Sequence, residues 1–178
     1  MKMKNIYQLK IALKWVKPPI WRLIEVPETY TFGKLHNAIQ DAMGWDNYHL
    51  YVFEIGGAEI TDTDTAAESG GLDANKEKIK DYFSKSSKAT YTYDFGDDWV
   101  HEVKVKDIIP SEKGAKYPRC IDGKRACPPE DCGGIYRYEE FLEAISDPNN
   151  EEHDEMLECV GREFDPEKFD PKEVKFRK

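Results

Sequence analysis

Between residues 7 and 15 the chain alternates strictly, with Tyr7, Leu9, Ile11, Leu13 and Trp15 on one side and Gln8, Lys10 and Lys14 on the other. A period of two places one set of side chains on each face of a pleated strand, so a half-buried β-strand is predicted here. Lys17-Pro18-Pro19 stops it, because proline offers no N–H to a ladder and restricts the residue before it. The run IWRLIEV (residues 20–26) then reads as the returning partner of an antiparallel pair that ends at Pro27. Beyond it the period changes: Phe32, Leu35, Ile39, Ala42 and Met43 recur at spacings of three and four. That is a helical stripe, with Thr31 placed to cap its start and Gly44 to supply a left-handed stop.

Residues 48–55, rich in Tyr, Val, Phe and Ile and closed by Gly56-Gly57, predict a third strand and a turn. Residues 58–75 hold mostly Thr, Asp, Glu, Ala, Ser and Gly without periodicity, and a long exposed excursion is expected. A helical turn at residues 79–83 leads to a strand over 89–95, a turn at Gly96-Asp97 and a strand over 99–108. After a connector rich in Pro and Cys, residues 138–145 and 152–160 have the pattern of two short amphipathic helices. The prediction is a single α+β domain spanning residues 1–178: a mixed, largely antiparallel sheet with an N-terminal hairpin, one main helix and short C-terminal helices.

Composition narrows the chemistry. A chain of 178 residues with 39% hydrophobic and 34% charged positions is sized for one water-surrounded core. No apolar run approaches the ~20 residues of a membrane span, and MKMKNIYQLK has no apolar segment of an export signal behind it. A cytoplasmic location with reduced thiols is therefore expected for the four cysteines. The net charge of -9 disfavours direct binding to nucleic acid or an anionic membrane. The basic residues Lys113, Lys116, Arg119, Lys124 and Arg125 are interrupted by Glu112 and Asp122.

The candidate chemistry lies in residues 93–134. His101 shares one face with Trp99, Val103 and Val105, so it is either a core imidazole with a satisfied hydrogen bond or a ligand. Asp94, Asp97 and Asp98 at the hairpin turn are binding candidates, since carboxylates near an imidazole orient it as a base or complete a metal shell. His36, at the edge of the helical stripe, and His49 join them. Cys120, Cys127 and Cys132 are spaced x6 and x4, and with His101 they form a candidate four-ligand site for Zn²⁺. Packed, inert thiols are the alternative, as is a reactive cysteine activated by Arg119, Lys124 or Arg125. The DFG tripeptide at Asp94 has no phosphate loop or catalytic loop to accompany it, and CPPEDC lacks the PCxxC of a deaminase.

The blocks YQLKIALKWVKPPIWRLIEV, FGKLHNAIQDAMGWDNYHLYVFEI, YTYDFGDDWVHEV and CPPEDCGG together resemble the plasmid pRiA4b ORF-3-like family, over nearly the whole chain. The resemblance takes in Pro19, Trp21 and Arg22; Leu35, His36 and Ile39; Gly44, Trp45 and His49; Tyr93, Asp94, Gly96, Asp97, Trp99 and His101. In the cysteine block it runs from Cys120 and Gly123 through Cys127, Pro128, Pro129, Glu130, Asp131 and Cys132 to Gly133 and Gly134. It implies a shared fold and a link to mobile genetic elements, and it brings no catalytic assignment.

Polar and aromatic residues gathered on loops without a complete catalytic constellation point to a binding or accessory module for a protein or small-molecule partner. The alternative is a metal-dependent hydrolase or nuclease-like enzyme built on some of His36, His49, His101, Asp94, Asp97 and Asp98.

Overall fold

The computed structural model describes residues 5–161 and 163–177. Its centre is an eight-stranded sheet of β1 (Asn5–Leu13), β2 (Trp21–Pro27), β3 (Tyr51–Ile55), β4 (Ala58–Thr61), β5 (Leu72–Asp73), β6 (Lys88–Tyr93), β7 (Trp99–Pro110) and β8 (Arg119–Lys124), in the order β5-β4-β3-β6-β7-β1-β2-β8. Every pairing is antiparallel except β4 with β5, so the sheet is mixed. The helices are α1 (Phe32–Met43), α2 (Thr63–Ser69), α3 (Ile79–Tyr82), α4 (Gly134–Ser146) and α5 (His153–Cys159). The architecture is α+β. No helix among the described residues is long and apolar enough to cross a membrane.

The main helix forms where its caps and stripe predict. Thr31 Oγ1 accepts from Lys34 N at 3.3 Å, and Gly44, at φ 95°, donates its N–H to Gln40 O. The helix lies across one face of the sheet. Near its start Phe32 packs edge-on against Phe53 of β3 at 5.1 Å, and at its end Ala42 O accepts from Arg22 Nε of β2 at 2.8 Å. Leu35, Ala38 and Ile39 belong to the same buried cluster as Leu9, Ile11, Ile24, Tyr91 and Val103 of the sheet. Arg22 is buried because three carbonyls, those of Trp21, Ala42 and Lys124, accept from it and the Phe169 ring covers it at 3.7 Å. That ring fits only because Gly123 has no side chain: a Cβ there would stand 2.3 Å from Phe169.

Several expectations change. Strand β1 stops at Leu13, and Trp15, in the left-handed region at φ 63°, is 66% exposed and not on the apolar face. The turn through Pro18-Pro19 is tight enough for Leu13 N to reach Ile20 O at 3.0 Å, which turns Trp15 outward. Strand β3 begins at Tyr51, and residues 45–50 form a loop. Residues 58–75 are ordered: β4 pairs with β3, Asp62 caps α2 through Asp64 N and Thr65 N, Gly70 ends it, and β5 lies parallel to β4. This unit buries few apolar side chains, Ile60, Ala66 and Ala74 among them, so capping rather than periodicity specifies it. The cysteine connector supplies the edge strand β8, whose half-exposed RCIDGK has no clear alternation.

The β6–β7 hairpin follows the predicted facing, with Tyr91 opposite His101 and Tyr93 opposite Trp99. Strand β6 ends at Tyr93. Asp94, at φ 58°, turns the chain so that Phe95 leaves the buried aromatic row and is 51% exposed. Trp99 is fully buried. Trp99→Ala is expected to cost about 3 to 5 kcal/mol in urea unfolding. A loss below about 1 kcal/mol would contradict the burial described here.

Candidate functional site

One rim of the molecule is made by three chain segments: the loop at residues 45–50, the hairpin turn at 94–98 and the cysteine loop at 127–134. All three contain residues in the left-handed region, namely Asn47, Asp94, Asp98 and Asp131. Asn and Asp tolerate that conformation better than other side chains, which is why these types occupy the turns.

Polar staples lock the segments together. Trp45 Nε1 donates to Pro128 O at 3.0 Å and Asp46 N to Glu130 Oε2 at 2.7 Å. Tyr93 O–H donates to the other oxygen of Glu130 while accepting from Tyr48 N at 3.1 Å. Asp94 N donates to Leu50 O at 2.9 Å, and Gly133 N to Asp97 Oδ2 at 3.0 Å. Gly134 is required by close approach: at φ 76° a Cβ would meet Asp97 O at 2.6 Å. Underneath, Trp45 stacks on Tyr93 at 5.1 Å and meets His101 edge-on at 5.4 Å. Burial, reinforced by the Glu130 carboxylate, holds the Tyr93 phenol well above its ordinary pKa, so it is a hydrogen-bond donor at neutral pH.

His49 sits at the middle of the rim. Its Nε2 lies 2.7 Å from Asp131 Oδ1 and 3.6 Å from Asp94 Oδ2. These three are the one group of metal-ligating side chains found among the described residues with ligand atoms all within 4.8 Å of one another. Cys120, Cys127, Cys132 and His101 are not brought together as such a group. Asp97 is occupied by the Gly133 staple, and Asp98 is exposed.

His36 is buried and links the helix to the rim. Gln40 Nε2 donates to Tyr91 O–H at 3.0 Å, Tyr91 O–H lies 2.8 Å from His36 Nδ1, and His36 Nε2 lies 2.5 Å from Asn47 Oδ1. Because Asn47 Oδ1 accepts, Nε2 carries the proton and Nδ1 takes the Tyr91 hydrogen. The ring stacks on Tyr51 at 3.6 Å and 8°. His36, Asn37, Asn47, His49, Tyr51 and Asp62 line a polar cleft of about 290 Å³ beside the rim.

His101 is fully buried, with Nδ1 3.3 Å from Tyr91 O; it is a core imidazole. Cys120 lies on β8 and Cys127 and Cys132 on the loop, all half-buried against the core, while Cys159 is exposed. Burial pushes the Cys132 thiol up to about 12 and raises Cys127 and Cys120 as well. Thiols so placed stay protonated and are poor nucleophiles, which favours packed thiols over the alternative of a cysteine activated by basic neighbours. Arg119 is held by Glu25 and Glu112, and Arg125 by Glu167, so those cations are already paired. Asp131 and Glu130 are the rim residues that reasoning from spacing missed, because neither has a partner close in sequence.

The profile of the plasmid pRiA4b ORF-3-like protein family matches residues 5–173. The chain is 38% identical over 161 residues to the uncharacterized protein y4hQ of Sinorhizobium fredii, covering 88% of this chain and 81% of that one. The crystal structure of a protein of unknown function, MM3350, from Methanosarcina mazei Go1 superimposes with a TM-score of 0.91 at 43% identity, covering 98% of this chain and 100% of that one.

Burial lowers both His36 and His101 from 6.5 to about 4. Each ring is neutral when folded and binds a proton when unfolded, so stability is full above pH 6.5 and falls as pH drops toward 4. The loss is on the order of 3 kcal/mol per ring. Urea unfolding between neutral pH and pH 4.5 is expected to show a smaller decline for His101→Gln than for the parent chain. An unchanged decline would contradict a neutral, buried His101.

Proposed function

The chain belongs to the plasmid pRiA4b ORF-3-like family, and from that starting point we propose that it is a binding module whose working surface is the stapled rim, with a polypeptide partner as occupant. The observation that carries this reading is the placement of Tyr48, Leu50 and Phe95, which are 77%, 49% and 51% exposed on segments otherwise held rigid. Large apolar side chains kept in water on an ordered frame are what an interface core needs, and a prebuilt frame lowers the ordering cost of association.

The charges around them select the partner. Asp46, Asp98 and Asp131 are exposed on the three segments of the same rim. Aromatic faces next to carboxylates suit Lys and Arg, which stack on the ring and pair with the acid. The occupant is therefore a segment that presents basic side chains next to apolar ones.

A short fluorescein-labelled peptide alternating Leu and Arg, titrated by anisotropy, is expected to bind more tightly than one alternating Leu and Glu. Tyr48→Ala and Phe95→Ala are each expected to weaken it about tenfold without moving the unfolding midpoint. Equal binding by these variants and the parent chain would sink the reading.

A further inference from the structure

We infer that His49, Asp94 and Asp131 form a binding site for a divalent first-row transition cation. This goes beyond the docking reading and shares only Asp131 with it; metal uptake and peptide binding are separate readouts, so the two can fail separately. Three observations lead to it.

The first is convergence. His49 comes from the 45–50 loop, Asp94 from the end of β6 and Asp131 from the cysteine loop, yet their ligand atoms lie within 4.8 Å of one another. The staples that position these segments, Asp94 N to Leu50 O and Asp46 N to Glu130, do not consume the three ligand atoms.

The second is an underpaired buried carboxylate. The Asp94 side chain is only 9% exposed. Its Oδ1 accepts from Gly96 N at 2.9 Å, while Oδ2 points at His49 Nε2 from 3.6 Å, beyond hydrogen-bond distance, and has no other donor among the described residues. A carboxylate on so buried a side chain, with one oxygen lacking a close donor, gains from a positive charge placed beside it.

The third is charge balance. His49 brings at most one positive charge to two carboxylates, and its Nε2 makes a good hydrogen bond to only one of them, Asp131 Oδ1 at 2.7 Å. A dication at the shared position would take the Nε2 lone pair and one oxygen from each Asp, neutralising the surplus negative charge. Imidazole with two carboxylates suits Mn²⁺, Fe²⁺, Co²⁺ or Zn²⁺ better than the all-oxygen shells of Ca²⁺ and Mg²⁺. Three protein ligands leave a coordination position open to water or an outside donor.

The full-length chain, stripped with chelator and dialysed, would be titrated with Zn²⁺ by calorimetry and with Co²⁺ by visible absorption. Stoichiometric uptake is expected, with His49→Ala, Asp94→Asn and Asp131→Asn each binding about tenfold or more weakly. Asn is chosen at the Asp positions because both sit at positive φ, 58° and 55°. Cys127→Ser and Cys132→Ser are expected to bind like the parent chain. No stoichiometric uptake would overturn the site, and so would uptake that survives His49→Ala. A thiolate-to-cobalt charge-transfer band would overturn it too, by placing the ion on the cysteines.

Discussion

Everything on the rim depends on where the Tyr93 hydroxyl and the Glu130 carboxylate meet. Tyr93 ends β6, Glu130 lies in the cysteine loop, and the same two groups take the backbone N–H of Tyr48 and of Asp46. One phenol and one carboxylate thus join three segments remote in sequence. Hydrogen bonds to an ionised acceptor are among the stronger ones, and here they also satisfy amides that a loop would otherwise leave to water. The left-handed turns at Asn47, Asp94 and Asp131 fall on the residue types that accept that conformation, so the three segments reach this arrangement at little backbone cost.

Support for the rim comes from an unusually polar and aromatic core. Trp45, Tyr93, Trp99 and His101 pack directly beneath it, and the chain from Gln40 through Tyr91 and His36 to Asn47 ties the middle of α1 to the loop that carries His49. A purely aliphatic core would bury as well but would not orient Asn47. The cost is visible in buried atoms without a partner among the described residues, such as His101 Nε2, Trp99 Nε1 and Tyr138 O–H. Such atoms are tolerated where geometry is held by many neighbours at once.

The sequence disclosed those parts whose reason is local. Strict alternation in Tyr7 to Leu13, the stripe from Phe32 to Met43 with its two caps, and the facing of Trp99, His101 and Val103 all follow from period and capping. What stayed hidden depends on distant partners. Residues 58–75 have too few apolar positions to show a period, although Asp62 and Gly70 mark the helix ends inside them. Strand β8 exists because β2 has an edge to pair, which RCIDGK cannot announce. Of the candidate residues, His49 and Asp94 fall together on the rim, but their companion Asp131 is more than thirty positions from Asp94 and is adjacent only in space. The thiols drew attention by their density, yet their surroundings are those of packed side chains.

The central claim is that the three rim segments form one rigid unit, held through Tyr93 and Glu130, rather than three independent loops. Native-state hydrogen exchange at the amides of Asp46, Tyr48 and Gly133 tests it most directly. The account predicts that all three are protected nearly as well as the β6 and β7 amides, and that Glu130→Gln speeds all three together, including Gly133, whose own acceptor is Asp97. Exchange at open-loop rates in the parent chain, or a response confined to Asp46, would contradict it.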